Sequence, residues 1–472
     1  MQVSGADDSR LVLATDFGER WLARLDGDRV AELRVVPLEG DSLGGAIFKG
    51  RVVRRASGMN AVFVDVGLER DLLLVRPPRR DGEPALPEEV GQGVLVQLVR
   101  EAVADKGHRA TTEITLAGTL AILAPGGRHR GISRRLDEAE RERLREVLDA
   151  VAPAEHGVIL RTAASGASRE AIAADLRQLV QRWDRLLLRA EALGCPALVE
   201  PGEDQALRFV RDRLAGGSIH ILIDDPATRR SLEAFLAAQP AGLDAVVEAW
   251  RGAEPMVEAL GLDRALADCL EPQVPLPGGG RLLIERTEAM VTIDVNSGHD
   301  MDQGDLEQTA LRTNLEAAAA AAREIVLRNL AGLIVIDFID MRLSASRREV
   351  GQALLEALAT DRVRHRLLPL TEFCLAQITR QRRGPSVTET FTTPCETCDH
   401  GRRPTIGYRA RAALRRARRE LRSGAVAPVE VQGDPAMLDR ARCILDAWGP
   451  ASGLSRDAVR FVGPSDGNGV NP

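Results

Sequence analysis

The chain has 472 residues, 44% hydrophobic and 28% charged, which is enough apolar content for packed domains and excludes global disorder. A formal net charge of −6 excludes nucleic-acid binding driven by bulk positive charge, so any such contact must come from local basic patches. Aromatic residues make up 3% of the chain, with a single tyrosine, which excludes extensive stacking of bases on rings.

The N-terminal stretch Met-Gln-Val-Ser-Gly-Ala-Asp-Asp has no basic region leading into an apolar run. No uncharged apolar stretch is long enough to span a bilayer, and a cytoplasmic protein is expected. Residues 1–38 read as short strands, with Leu11-Val12-Leu13-Ala14-Thr15 and Arg34-Val35-Val36 separated by the turn Asp26-Gly27-Asp28. Residues 45–118 carry further strand-like runs at 48–53, 61–67 and 94–99, spaced as in a small barrel such as an OB-fold, and 79–91 is a Pro- and Gly-rich surface loop. A helix is expected over 134–151 with Ser133 as its N-cap, and another near 167–193, with the strand Gly157-Val158-Ile159-Leu160-Arg161-Thr162 between them. Residues 206–270 alternate helix, strand (Ile219 to Ile223) and helix.

From 278 to 391 a β/α arrangement with well-buried central strands is expected. Strands 281–285 and 289–298 precede a helix from about Asp305 to Arg328; strand 332–338 precedes another helix near 344–359. The tail from 408 reads as helical, with its last ten or so residues disordered. Residues 401–422 hold nine arginines against one acid, Glu420, which suits either an RNA-contacting helix or a solvated face.

Asp294 and Asp337 each close a strongly apolar strand, Val291-Thr292-Ile293 before the first and Leu333-Ile334-Val335-Ile336 before the second. Two carboxylates delivered from neighbouring strands make a hard oxygen site suited to Mg²⁺, and phosphodiester hydrolysis needs such an ion; the same aspartates could equally cap the turns that follow. Asn296 and Asp340 lie close enough in sequence to assist. Four of the six cysteines, Cys195, Cys269, Cys374 and Cys443, are scattered and read as small buried hydrophobes. Cys395-Glu396-Thr397-Cys398 is the one C-x-x-C, which cannot by itself fill a four-ligand zinc site. A redox pair, a pair completed by a distant ligand, and half of a site shared by two chains all remain open, though a Pro/Thr loop is a poor setting for redox chemistry.

Glu288-Ala289-Met290-Val291-Thr292-Ile293-Asp294-Val295-Asn296-Ser297-Gly298 and Ala331-Gly332-Leu333-Ile334-Val335-Ile336-Asp337-Phe338-Ile339-Asp340-Met341 resemble the catalytic signature of the ribonuclease E/G family. The intervening Thr313-Asn314-Leu315-Glu316-Ala317-Ala318 is similar too, and the resemblance extends over nearly the whole chain. It implies a Mg²⁺-dependent endoribonuclease acting on A/U-rich single-stranded RNA in rRNA processing and mRNA decay. Asp294 and Asp337 would hold the catalytic Mg²⁺ and Asn296 would orient the scissile phosphate. Cys395 and Cys398 would bind one structural Zn²⁺ together with the same pair from a second chain, giving a homodimer, possibly a tetramer, with His400 a bystander. Phe63 and Lys106 match RNA contacts of the OB-fold, with Leu73 where a second ring is usual. Arg134, Arg161 and Thr162 match the 5′-monophosphate sensor, and Arg380 and Arg382 a basic RNA-binding strand end. Cys374 and Gln377 stand where the family has glycine and glutamate. An RNA-binding or assembly factor with little cleavage is the rival reading.

The fold class implied is α/β with several subdomains. An RNase H-like fold is built from 1–38 and 206–270, with an OB-fold at 39–118 and a 5′ sensor at 119–205 inserted. A DNase I-like catalytic subdomain at 271–391, a zinc loop at 392–407 and a small C-terminal domain at 408–472 follow. No long acidic or proline-rich tail follows the core, which resembles the shorter, ribonuclease G type.

Overall fold

A computed structural model describes residues 9–38, 43–56, 61–75, 89–101, 107–214, 219–239, 245–298, 306–395 and 401–463. The chain divides into two compact units, residues 1–38 with 250–472, and residues 39–249. Among the described residues, no helix is long and apolar enough to cross a membrane.

In the first unit, residues 9–37 form an antiparallel meander of three strands, Ser9–Asp16, Glu19–Asp26 and Arg29–Pro37. The middle strand was not apparent from the sequence, because its charged Glu19, Arg20 and Arg24 interrupt the apolar run that Trp21, Leu22 and Leu25 bury. A six-stranded mixed sheet follows, in spatial order Gln273–Pro275, Arg281–Arg286, Met290–Asn296, Gly332–Asp337, Leu375–Arg380, His365–Leu367. Only the Asp294 and Asp337 strands run parallel; the other neighbours are antiparallel.

The helices Leu306–Leu327 and Ser344–Leu358 pack with this sheet in one core. Its apolar side comes from Leu282, Val291, Ile293, Val295, Ile334, Ile336, Ala376 and Ile378, and the helices bring Ala317, Ala318, Ala321, Ile325, Val350 and Leu354. The alanines let the long helix lie close to the strands. Each fully buried Val, Ile or Leu contributes about 1.5–3 kcal/mol.

The alternation of side chains across a strand puts Thr292, Asp294 and Asn296, and Leu333, Val335 and Asp337, on the other side, where they are half-buried or exposed. The central strands are thus well buried on the face toward the helices and open on the other. The C-terminal segment is also more than a helical tail. Helix Ile406–Arg422 and helix Pro435–Trp448 pack with the parallel strands Val429–Gln432 and Val459–Val462. The short hairpin Thr392–Pro394 with Arg402–Pro404 precedes them. The final residues expected to be disordered lie outside the described residues.

In the second unit, strands Ile47–Ala56, Ala61–Asp65, Leu72–Val75, Arg109–Thr111 and Gly93–Arg100 pair in that order, and the last pairs back onto the first. This closes a five-stranded barrel of OB type around Phe48, Val52, Val64, Leu72, Val96 and Leu98. Most of the 79–91 loop lies outside the described residues. A four-stranded sheet, Arg130–Ile132, His156–Leu160, Ala121–Pro125 and Leu116–Ala117, packs with helices Glu138–Val151 and Arg169–Ala192. The first of these helices starts four residues later than expected. Asp137, not Ser133, is its N-cap, accepting the Glu140 amide, because Ser133 is still leaving the strand and its hydroxyl is bonded elsewhere. Strand Ile219–Ile223 falls where expected and pairs in parallel with Ala245–Ala249.

Candidate active site and RNA-contact residues

The parallel register of the two central strands sets Asp294 directly opposite Asp337. Adjacent strands are about 4.8 Å apart, so two exposed carboxylates face the same solvent region within reach of one ion. Asn296, two residues along the same strand, donates from Nδ2 to Asp294 Oδ2 at 2.7 Å, which fixes both side chains on that face. Partial burial, then the neighbouring charges of Asp294 and Asp340, raise the Asp337 pKa above the ordinary carboxylate range. The ionised pair thus carries an uncompensated repulsion that a divalent cation would relieve. This donor set fits Mg²⁺, which takes one or two carboxylates and keeps several waters.

Gln377 lies on the strand beyond Asp337, opposite Val335 in the ladder. Cys374 precedes that strand at φ +58°, the left-handed region, which is why a glycine suits this position. Its side chain is fully buried, and its Sγ lies 3.2 Å from the Met341 amide nitrogen.

The loop after Asp337 is held by the long helix, a feature the sequence did not signal. Asn314 is fully buried, donates from Nδ2 to the Ile339 carbonyl at 2.8 Å and accepts the Ile339 amide on Oδ1 at 3.0 Å. Glu307 accepts the Arg342 and Leu343 amides at 2.9 and 3.1 Å, and those amide bonds, the Arg342 amide foremost, hold its pKa below the usual range. Asn314 thereby positions the segment between Asp337 and Asp340. Asn314→Ala would strand two Ile339 backbone groups, at about 1–3 kcal/mol each. Misplacing Asp337 by even 1 Å is expected to lower kcat about 100-fold with little change in KM. Steady-state kinetics beside a thermal melt checks this: a lowered melting point with unchanged kcat would make Asn314 structural only.

Of the expected RNA contacts, Phe63 is half-buried in the barrel strand Ala61–Asp65 with the Arg54 guanidinium 4.0 Å from its ring centroid. Leu73 is its direct cross-strand partner, so a ring at 73 would lie beside Phe63 and here an aliphatic side chain does. Lys106 and Cys398 lie outside the described residues. Cys395 stands at the end of the hairpin strand Thr392–Pro394, its amide bonded to the Gly401 carbonyl at 2.8 Å.

The residues expected to form the 5′ sensor come together because Arg130–Ile132 runs parallel to His156–Leu160, so Ser133-Arg134 and Arg161-Thr162 emerge side by side. Ser133 and Thr162 share a hydroxyl–hydroxyl bond of 2.8 Å. Arg134 is exposed in the turn. Arg161 donates to the Gly118 carbonyl at 2.6 Å and to Asp212 Oδ1 at 2.5 Å. Burial opposes ionisation of Asp212, but the Arg211 and Arg161 guanidiniums outweigh it and bring its pKa to about 2. Asp175, whose carboxylate accepts the Thr119, Leu120 and Ala121 amides, steadies the loop that carries Gly118. Asp212 and Asp175 are distant in sequence from the sensor motif, and nothing in their surroundings marks them.

Arg380 departs from the expected surface contact. It is 4% exposed, and its guanidinium is taken by Asp361 at 2.8 and 3.1 Å, Asn329 at 3.0 Å and the Leu330 carbonyl at 2.8 Å. The alternation along Leu375–Arg380 turns it into the protein, where it ties strands and helix together. Arg382, two residues past the strand end, is exposed and paired with Glu389 at 3.0 Å.

The fold and site define an α/β protein with a facing carboxylate pair on a mixed sheet and an OB-type barrel. The ribonuclease E/G family model matches residues 115–383. The chain is 34% identical to ribonuclease G of Salmonella typhimurium (strain SL1344) over 412 residues, 84% of either chain. It is 33% identical to ribonuclease G of Escherichia coli K12 over 410 residues, again 84% of each. Against ribonuclease E of Nostoc sp. (strain PCC 7120) it is 35% identical over 388 residues, covering 79% of this chain but 56% of that one. This chain belongs to the ribonuclease E/G family.

Proposed function

We propose that this protein is an endoribonuclease that hydrolyses internal phosphodiester bonds of A/U-rich single-stranded RNA, leaving a 5′-phosphate and a 3′-hydroxyl, in rRNA processing and mRNA decay. The observation that carries the reading is the Asp294–Asp337 register with the Asn296 amide bonded to Asp294. Asp294 and Asp337 would hold a Mg²⁺ ion. When bound, that ion would polarise a phosphoryl oxygen and acidify a coordinated water. The Asn296 amide, held at the carboxylate pair, orients the scissile phosphate, and Asn314 keeps Asp337 and Asp340 in place behind it.

Family membership supports the substrate class: the relatives' names, ribonuclease G and ribonuclease E, are those of RNA-cleaving enzymes. We extend the reading to the ends of the RNA. Arg134, Arg161 and Thr162, on neighbouring strand ends, would supply guanidinium and hydroxyl groups suited to a terminal monophosphate. Cys395 and Cys398 from each of two chains would share one Zn²⁺ and make a cytoplasmic homodimer, which a zinc content of one ion per two chains would test.

The test is incubation of an A/U-rich single-stranded RNA with the protein and Mg²⁺, with 5′-monophosphate and 5′-hydroxyl versions compared. Internal cleavage, faster for the monophosphate, is expected, and Arg161→Ala should bring the two rates together. Binding without cleavage would favour the assembly-factor reading, for which Gln377 on the sheet strand beside Asp337 is the supporting feature.

A further inference from the structure

Among the described residues, Phe373 is the one exposed aromatic side chain, at 78% exposure, in a chain that buries or half-buries every other ring. Its place is set by the same ladder that sets the carboxylates. Asp337 pairs with Leu375 in the last rung, and the Phe338 amide meets the Cys374 carbonyl at 3.4 Å, so Phe373 sits two residues past that rung at the Asp337 end of the sheet. The loop is well fixed. The Thr371 amide donates to the Leu375 carbonyl at 3.0 Å, the Cys374 amide to the Thr371 carbonyl at 3.1 Å, and the Leu375 amide to Thr371 Oγ1 at 3.1 Å. Buried Cys374, in its left-handed conformation and against Met341, anchors the next residue while Phe373 is left in solvent.

Met341 leads through exposed Arg342 to Leu343, which is 58% exposed, and Glu307, which binds the amides of both, follows Leu306, 61% exposed. The rim thus alternates apolar surface with charge: Phe373 beside Glu372, and Leu343 beside Arg342. A protein-docking face would be a continuous apolar patch. A ring and single leucines beside the exposed Arg342 instead suit a polymer that alternates flat apolar bases with phosphates, and its phosphate is the group the neighbouring carboxylate site would handle.

We propose that Phe373 is a stacking platform for one unstacked base of the single-stranded nucleic acid next to the scissile phosphate. It thereby helps to set which bond is presented to Asp294 and Asp337. The inference rests on the proposed RNA-cleaving function and names the residue that seats its substrate.

A base–aromatic stack changes affinity by about five- to 150-fold. The test is a cycle of ring and base removal. Short labelled single-stranded RNAs, each with one abasic nucleotide near the cleavage position, are titrated against the full-length Asp337→Asn protein with and without Phe373→Ala. One abasic position is expected to weaken binding five- to 150-fold when Phe373 is present and hardly at all when it is absent, and Phe373→Trp should restore the intact pattern. Because the ring is exposed, Phe373→Ala should melt at the parent temperature, which separates the effect from misfolding. Equal abasic costs in both proteins, or unchanged affinity for intact RNA, would overturn the inference, as would a loss of self-association with RNA binding intact. Cleavage by the wild type with no Phe373-dependent base effect defeats this inference alone. A Phe373-dependent base effect with no cleavage by the wild type supports it and defeats the enzymatic reading. Absence of all RNA binding defeats both.

Discussion

Asp337→Asn and Asp294→Asn, each made alone, are expected to reduce cleavage of single-stranded RNA by at least about a thousandfold while leaving RNA affinity largely intact. Metal-assisted hydrolysis draws several kcal/mol of transition-state stabilisation from the ion, and each 1.36 kcal/mol is tenfold in rate. Removing one of two facing carboxylates removes half of the protein's hold on the ion. Both aspartates are exposed, so the amides cost little in folding. The same substitutions should raise the thermal stability of the metal-free protein slightly, because Asp337 carries the burden of partial burial and of the Asp294 and Asp340 charges. The sign follows from its raised pKa. Protonation, substitution and cation binding all relieve the same repulsion, so in metal-free protein Asp337 disfavours the fold above its folded-state pKa and ceases to do so as the pH falls through it. Full-rate cleavage by either variant would remove the pair from the chemistry.

The largest stability effect is expected at Arg418. This residue and Arg415 are buried in the C-terminal helix, and with Arg411 they face Asp16, Glu19 and Glu258. Arg418 donates to Asp16 Oδ1 and the Ser452 carbonyl, both at 2.7 Å, and to Glu258 Oε1 at 2.7 and 3.0 Å, with its guanidinium 4.9 Å from the Phe17 ring centroid. Arg415 bonds Asp16 at 2.7 Å and Glu19 at 3.0 Å. Burial raises the Glu19 pKa despite the Arg415 and Arg411 charges. Breaking a buried pair from one side leaves a charge without a partner and costs about 3–5 kcal/mol. Arg418→Ala is therefore expected to lower the unfolding free energy of the unit containing the helix by that amount, read as a lower urea midpoint at unchanged slope. RNA affinity should fall only with unfolding. Reduced RNA affinity at unchanged stability would instead mean that the arginines of this helix serve as a nucleic-acid surface.

That cluster marks where reading the sequence stops. Nine arginines in 22 residues look like a polyanion-binding or solvated face, and the partners that decide otherwise, Asp16, Glu19 and Glu258, lie about 160 to 400 positions away. Arg380 is a similar case: its basic neighbours suggest a surface, but the strand period turns it onto Asp361. The two aspartates of the proposed site were legible because a long apolar run followed by a carboxylate is a local pattern, and the strand and helix bounds around them fell within a residue or two. Their direct apposition was not, since register is a property of pairing. Asn314 and Asp212 were missed for the same reason: an amide or carboxylate whose value lies in distant backbone or guanidinium partners leaves no local trace. Phe373 carries no local mark in the sequence either, because its exposure follows from the left-handed Cys374 taking the buried place beside it.

The account stands on one claim, that Asp294 and Asp337 together bind a divalent cation, and titration with Mn²⁺ followed by electron paramagnetic resonance tests it without any substrate. One Mn²⁺ per chain, displaced by Mg²⁺ and lost in both Asp294→Asn and Asp337→Asn, is predicted. Binding of equal strength and stoichiometry in the wild type and both variants would contradict it.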